Sequence, residues 1–359
     1  MAKSLLFIPD ISGFTQFVQS TEVEHSTHVI AELLEVLIKA NTIDLKLAEI
    51  EGDALFFYKE NEIVFQEQLL AQVDKMFTAF YSHLKLLEKN RICPCNACAT
   101  APNLQLKIIA HCGELQFITV QNNRKPFGKQ VIEVHRLLKN HINSDNYVLI
   151  SEDLAKEISM PMDYQSRFFQ FEQGKNTYDN QEIKYTYAII ETDKLQLSQF
   201  PNASKVQLKN PPNLVTEQQL PLTPEAVFEV ITNYAYRHHW MEGVKKFIYD
   251  ENEVTRLDTE HVCVIGGFHF NFAAVTKEVQ SNQLVYGEMS TDLPICDKLY
   301  HFYILTPLDE QSTKLTVETY WQSKSILKKG AMFLMGRRML EKMLRANLDK
   351  LRLFLADRF

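Results

Sequence analysis

Hydrophobic and polar positions recur along the chain with two different periods, and the periods predict its elements. Residues 5–8 (Leu5, Leu6, Phe7, Ile8) are a short apolar run closed by Pro9, the pattern of a buried strand. Over 24–40, Val29, Ile30, Leu33, Leu34, Val36, Leu37 and Ile38 fall at near-helical spacing and predict an amphipathic helix. Runs at 45–50 and 54–58 flank Glu51-Gly52-Asp53, whose turn chemistry predicts a hairpin. A long helix over 67–87 is expected next, then a cysteine-bearing loop, strands over 104–110 and 114–120, a helix over 130–139, and strands near 147–150 and 183–190. This order predicts an α+β domain whose sheet is at least partly antiparallel.

Between 195 and 213 the periodicity fades into Ser198, Pro201, Asn202, Ser204, Asn210, Pro211, Pro212 and Asn213, all turn or linker residues. The reading is therefore a first domain over 1–195, a linker over 196–213 and a second domain over 214–359. Thr223 and Pro224 supply an N-cap and a first helical position for the apolar run that follows. Strand-like runs come at 261–265, 269–275, 283–289, 300–306 and 314–321. One long closing helix is expected over 327–355, with Leu334, Met335, Leu340, Met343, Leu344, Leu348, Leu351 and Leu355 on its apolar face.

Composition agrees with two folded domains: 359 residues, 45% hydrophobic and 23% charged, leave no room for a disordered or fibrous chain. No apolar run reaches the roughly 18 residues a membrane-spanning helix needs, and Pro9 and Asp10 interrupt the start too early for a signal sequence, so a cytoplasmic protein is expected. The formal charge of −7 argues against nucleic acid as a partner. From Lys324 onward ten Lys and Arg face three acidic residues, so the last helix carries a basic outer face, solvated by default and able to meet anionic lipid or an acidic surface.

Two carboxylates stand out. Asp10, at the end of the first strand, and Asp53, on the hairpin turn, can face one point if their strands are neighbours, and two hard oxygen donors suit Mg²⁺ or Mn²⁺ held against a triphosphate. Taken singly, each reads equally as a turn or capping Asp.

Asp10-Ile11-Ser12-Gly13-Phe14-Thr15 and Gly52-Asp53-Ala54 resemble the metal motif and hairpin of the class III adenylate and guanylate cyclase homology domain. His111-Cys112-Gly113-Glu114 is similar to a third part of that pattern, and Tyr147 to Glu152 to its late strand-to-helix step. The resemblance covers residues 1–195 and implies a ferredoxin-like fold. It further implies metal ions held by Asp10, Asp53 and the carbonyl of Ile11, with Phe14 and Thr15 opening a helix toward the phosphates of a purine nucleoside triphosphate. Glu49 and Lys125 fall at its base-reading positions; the acid suits guanine, the lysine matches neither usual choice, and a solvated strand Glu is the plain alternative. Arg136 stands where the family places its phosphate-binding arginine, and Lys175, in Gly174-Lys175, where a late lysine meets the triphosphate. One position departs: Ile132 replaces the asparagine four residues before that arginine and can donate no hydrogen bond to the ribose. The family's site is shared between two chains, which implies a homodimer. The functional expectation is a divergent nucleotide cyclase weakened by Ile132, or a non-enzymatic nucleotide- or lipid-binding sensor.

Cys93, Cys95 and Cys98 form a Cys-x-Cys-x₂-Cys cluster, with His111 or Cys112 as a fourth donor, and suit either tetrahedral Zn²⁺ or a redox-sensitive pair; incidental loop cysteines are the bland reading. The second domain resembles the START-like (polyketide cyclase, SRPBCC) helix-grip superfamily through Thr223 to Asn233 and Trp240-Met241-Glu242-Gly243. That likeness implies a sheet gripping the last helix around a pocket for a hydrophobic small molecule or lipid, lined by Trp240, Phe268, Phe270, Phe272, Met289 and Met335. Each of these is, singly, also an ordinary core residue. Catalysis in that pocket needs an internal polar pair, which the sequence does not place.

Overall fold

The computed structural model describes all residues except Met1, 21–22, Asn180, 201–204, Asn252, Gly266, Asp292 and Phe359; the linker residues Pro201, Asn202 and Ser204 thus lie outside the described residues. The fold is mixed α/β. It divides into two compact units, one formed by Met1–Glu88 and Thr100–Phe200, the other by Lys89–Ala99 and Pro201–Phe359.

The first unit opens with β1 (Ser4–Ser12), α1 (Phe14–Ser20), α2 (Val23–Lys39), β2 (Lys46–Glu51), β3 (Ala54–Lys59) and α3 (Gln66–Lys89). After the short α4 (Asn96–Thr100) come β4 (Gln105–Gly113), β5 (Gln116–Val120), β6 (Asn123–Phe127), α5 (Lys129–Leu138), β7 (Tyr147–Ser151), α6 (Glu152–Glu157), β8 (Glu172–Tyr178) and β9 (Gln181–Ile189). Seven strands share one sheet in the order β2-β3-β1-β4-β7-β9-β8, while β5 and β6 make a separate hairpin. Among the described residues of this sheet, only the β4–β7 pair is parallel. On α2 the helical spacing of Val29, Ile30, Leu33, Leu34 and Leu37 translates directly into burial.

Strand β1 runs on through Pro9 to Ser12, beyond the stop expected there. Proline lacks a backbone donor, so the ladder to β3 records Leu5 to Phe7 and then Asp10, while opposite β4 the pairing continues unbroken with Pro9 facing Ile108. Asp10 is therefore a strand residue. The turn into β3 has two central residues, Gly52 and Asp53, with Glu51 opposite Ala54. Gly52 sits at φ +69, a left-handed conformation that explains glycine at this position.

The second unit contains β10 (Leu214–Leu220), α7 (Pro224–Thr232), α8 (Arg237–Trp240), β11 (Val244–Ile248), β12 (Glu260–Ile265), β13 (Phe268–Val275), β14 (Leu284–Thr291), β15 (Lys298–Asp309) and β16 (Ser312–Gln322). It ends in α9 (Ile326–Ala331), a wide turn over Met332–Gly336 and α10 (Arg337–Arg358). Its seven strands are ordered β10-β16-β15-β14-β13-β12-β11, and every pairing is antiparallel. Thr223 caps α7 by accepting from the Ala226 amide at 3.3 Å, as expected. The expected closing helix is continuous and carries one wide, π-helical turn over Met332–Gly336. At Gly336 a Cβ would stand 2.4 Å from Met332 Sδ, so the absent side chain makes room for the buried Met332. Leu340, Leu344, Leu348, Leu351 and Leu355 of α10 are buried, whereas Leu334, in the wide turn, is 71% exposed.

Candidate functional site

The β1–β3 ladder brings the two carboxylates together. Asp10 lies opposite Ala54, the residue after Asp53, and the next amide along, Ile11 N–H, donates to the Asp53 carbonyl at 3.1 Å. Ile11 itself is fully buried. Burial raises the pKa of Asp10, and the nearby Asp145 and Glu51 charges add to the rise while Lys107 opposes it. Burial also raises Asp53, and the Asp10 charge pushes it further the same way. The Asp10 charge thus makes Asp53 harder to ionise, a condition that a nearby divalent cation relieves. A residue the sequence reading did not single out completes the group: Lys107, opposite Asp10 on β4, places Nζ 3.2 Å from Asp10 Oδ2. Its signal was a lysine inside the apolar run Leu106-Lys107-Ile108-Ile109, where a charge needs a partner.

Around this pair, Phe14 is half-buried and Thr15 exposed at the start of α1, after Gly13 at φ +88. Glu49 on β2 and Lys125 on β6 meet as an ion pair at 2.6 Å. The two residues expected to read the base are thus paired with each other. On α5, Ile132 is 54% exposed, and Arg136 is bound by Asp179 at the turn between β8 and β9. Lys175 pairs with Glu182 across the same two strands at 2.9 Å. His135, which the sequence reading left unused, ties α5 to the hairpin through Glu51 at 2.9 Å.

The proposed fourth zinc donors are otherwise engaged. Both ring nitrogens of His111 are taken, by Ser151 Oγ and Gln130 Oε1 at 2.7 Å each, which binds the imidazole into the sheet. Cys112 is buried, its thiol pushed up to about 12 by that burial, and among the described residues neither joins a group of candidate metal donors. Cys93, Cys95 and Cys98 do come together, with their sulfur atoms within 4.8 Å of one another, a donor set able to hold a metal ion. Hydrogen bonding to Cys93 and Cys95, followed by burial, raises the Cys98 thiol pKa.

In the second unit the residues expected to line an apolar pocket differ widely in exposure. Trp240 is buried, but Phe268, the first residue of β13, is 67% exposed. Phe272 stacks on His261 at 5.4 Å, and Phe270 packs against Phe268 at 6.4 Å. Met289 packs with the core around Phe302, and the side chain of Met335 lies outside what is described. At the centre stands the internal polar pair the sequence could not place: Arg237 donates to Glu288 Oε1 at 2.6 Å, with side chains 0% and 3% exposed. The guanidinium also lies 4.9 Å from the Trp240 ring and 5.6 Å from that of Tyr234. Burial pushes the Glu288 carboxyl up most strongly, but Arg237, His261, His301 and the hydrogen bond from Tyr286 together more than offset it, leaving its pKa below the usual range. His261 and His301 are both lowered to about 4, chiefly by burial.

Residues 30–147 match a family described as a protein of unknown function (DUF2652). An uncharacterized protein of Mycobacterium tuberculosis is 33% identical over 129 residues, which are 35% of this chain and 59% of that protein. The adenylyl cyclase CyaB from P. aeruginosa is similar at 15% identity and TM-score 0.38, over 53% of this chain and 95% of its own. The guanylate cyclase domain of RhGC from Catenaria anguillulae, solved in complex with GTP, is 14% identical with TM-score 0.38, over 53% of this chain and 97% of its own. Adenylyl and guanylyl cyclase domains are thus among its structural neighbours over about half the chain.

Proposed function

We propose that the first unit is a divergent class III nucleotide cyclase-like domain that binds a purine nucleoside triphosphate with Mg²⁺ or Mn²⁺ through Asp10 and Asp53. The observation that supports this reading is the adjacency of Asp10 and Asp53 across the β1–β3 ladder, with both pKa values raised by burial and Asp53 raised further by the Asp10 charge. The donor set fits a hard cation, with Lys107 as its competitor for Asp10. When bound, the ion supplies charge neutralisation at the triphosphate. Arg136, supplied across a homodimer, offsets negative charge on the α-phosphate once released from Asp179. In the reaction the ribose 3′-hydroxyl gives its proton to solvent water and its oxygen bonds to the α-phosphorus; the bond from that phosphorus to the oxygen bridging to the β-phosphate breaks, and pyrophosphate leaves carrying that oxygen. The second unit serves as a START-like domain for a hydrophobic small molecule, a reading supported by its antiparallel sheet, the packing of α10 on β10 and the buried Trp240.

A second reading, a nucleotide-binding sensor without turnover, is favoured by the exposed Ile132 and by the Glu49–Lys125 pair. The test incubates the purified full-length chain with Mn²⁺ and ATP or GTP and looks for cyclic nucleotide and pyrophosphate by mass spectrometry. Cyclic product that disappears in Asp10→Asn supports the enzyme. Bound nucleotide without product supports the sensor, and neither binding nor product sinks both.

A further inference from the structure

The cysteine cluster is chemically unlike the carboxylate pair and independent of it. Cys93 and Cys98 are buried and Cys95 is half-buried, on a stretch of only six residues. Pro94 fixes the backbone between the first two, and α4 begins directly after Cys95, so Cys98 follows it by about one helical turn. The three sulfurs fall within 4.8 Å of one another, and the six cysteines form no disulfide among the described residues. A disulfide needs about 2.05 Å between sulfurs, whereas a tetrahedral zinc at about 2.3 Å from each sulfur spaces them by about 3.8 Å. Two backbone amides are already aimed at the sulfurs: Cys95 N–H donates to Cys93 Sγ at 3.5 Å and Cys98 N–H to Cys95 Sγ at 3.4 Å. Such donors favour thiolate over thiol and orient it, the role outer-shell hydrogen bonds play around a metal.

We propose that Cys93, Cys95 and Cys98 bind one Zn²⁺ as a three-thiolate structural site, with a nitrogen or water as fourth donor. Soft sulfur ligands select zinc and disfavour Mg²⁺, so this site and the carboxylate pair take different ions. Binding replaces three thiol protons by one divalent cation and involves no electron transfer. Its function is to fix the loop between α3 and β4.

The test uses the full-length chain purified under reducing conditions without chelator, reconstituted with Zn²⁺ and analysed by elemental mass spectrometry. One zinc per chain is expected. Replacement by Co²⁺ should give the sulfur-to-cobalt charge-transfer absorption of three thiolates. Zinc should also protect three of the six cysteines from a thiol reagent, a readout that needs no variant. Cys95→Ser and Cys98→Ser should each weaken zinc binding by more than about tenfold, since even outer-shell losses cost that much. Cys263→Ser, on β12, should leave it unchanged. No stoichiometric zinc, a cobalt spectrum without the sulfur band, or thiol reactivity that zinc does not alter would overturn the assignment. A disulfide within the trio in reduced protein would do the same. None of these outcomes bears on nucleotide binding.

Discussion

Replacing Glu288 by glutamine leaves a guanidinium buried with no counter-charge, and its cost follows from the surroundings. Arg237 is fully buried and its short contact to Glu288 is the only carboxylate hydrogen bond recorded for it among the described residues. Breaking one partner of such a pair costs about 3–5 kcal/mol. The aromatic faces of Trp240 and Tyr234 at 4.9 and 5.6 Å continue to stabilise the cation, and Tyr286, which donates to the same carboxylate oxygen at 3.0 Å, can donate equally to an amide oxygen. The lower end, about 3 kcal/mol, is therefore expected for Glu288→Gln. At about 2–4 °C per kcal/mol, the second unit should melt about 6–12 °C lower. Both tryptophans, Trp240 and Trp321, belong to that unit, so intrinsic fluorescence follows its unfolding without interference from the other. The double variant Arg237→Met with Glu288→Met removes both charges and should recover most of the loss. A single variant within about 1 kcal/mol of wild type, or a double variant worse than the single, would refute the idea that this pair is a desolvated ion pair.

Three further outcomes follow from the same geometry. Ile132→Asn restores a side-chain amide on the exposed face of α5 and should raise cyclase turnover by up to about a hundredfold if the enzyme reading holds, measured as cyclic product per unit time. Lys107→Met removes the cation 3.2 Å from Asp10 and should tighten Mn²⁺ binding at least about tenfold by calorimetry, because at an effective dielectric of about 20 such a charge contributes several kcal/mol. Acid should destabilise the second unit: His261 and His301, held near 4, stay neutral in the fold while the unfolded chain takes up protons below about 6.5. Stability is thus full above about pH 6.5 and lost as pH falls toward 4, by up to about 3 kcal/mol per histidine. Fluorescence-monitored urea melts at several pH values check this, and His261→Phe should flatten the dependence.

What the sequence revealed depended on whether a feature was local. The Gly52-Asp53 turn and the apolar runs around it were legible because turn chemistry and strand period act over a few residues, and they sufficed to bring Asp10 beside Asp53. The missed strands β6, β8, β10 and β11 have one neighbour each, and β8 carries almost no apolar signal, reading Glu-Gln-Gly-Lys-Asn-Thr-Tyr. The pairings of Lys107 with Asp10, Glu49 with Lys125 and Arg237 with Glu288 join residues distant in sequence, and no local pattern encodes them. The wide turn ending at Gly336 accompanies one close approach by Met332, which helical periodicity overlooks.

The most direct measurement is a Mn²⁺ titration, followed by electron paramagnetic resonance of the free ion, of wild type, Asp10→Asn and Asp53→Asn in the presence of a nonhydrolysable triphosphate. If one cation bridges both side chains, each substitution alone weakens binding by at least about tenfold, and the two together cost much less than the sum of the separate losses. Affinity unchanged by either substitution, or two losses that simply add, would mean that the carboxylates do not share an ion.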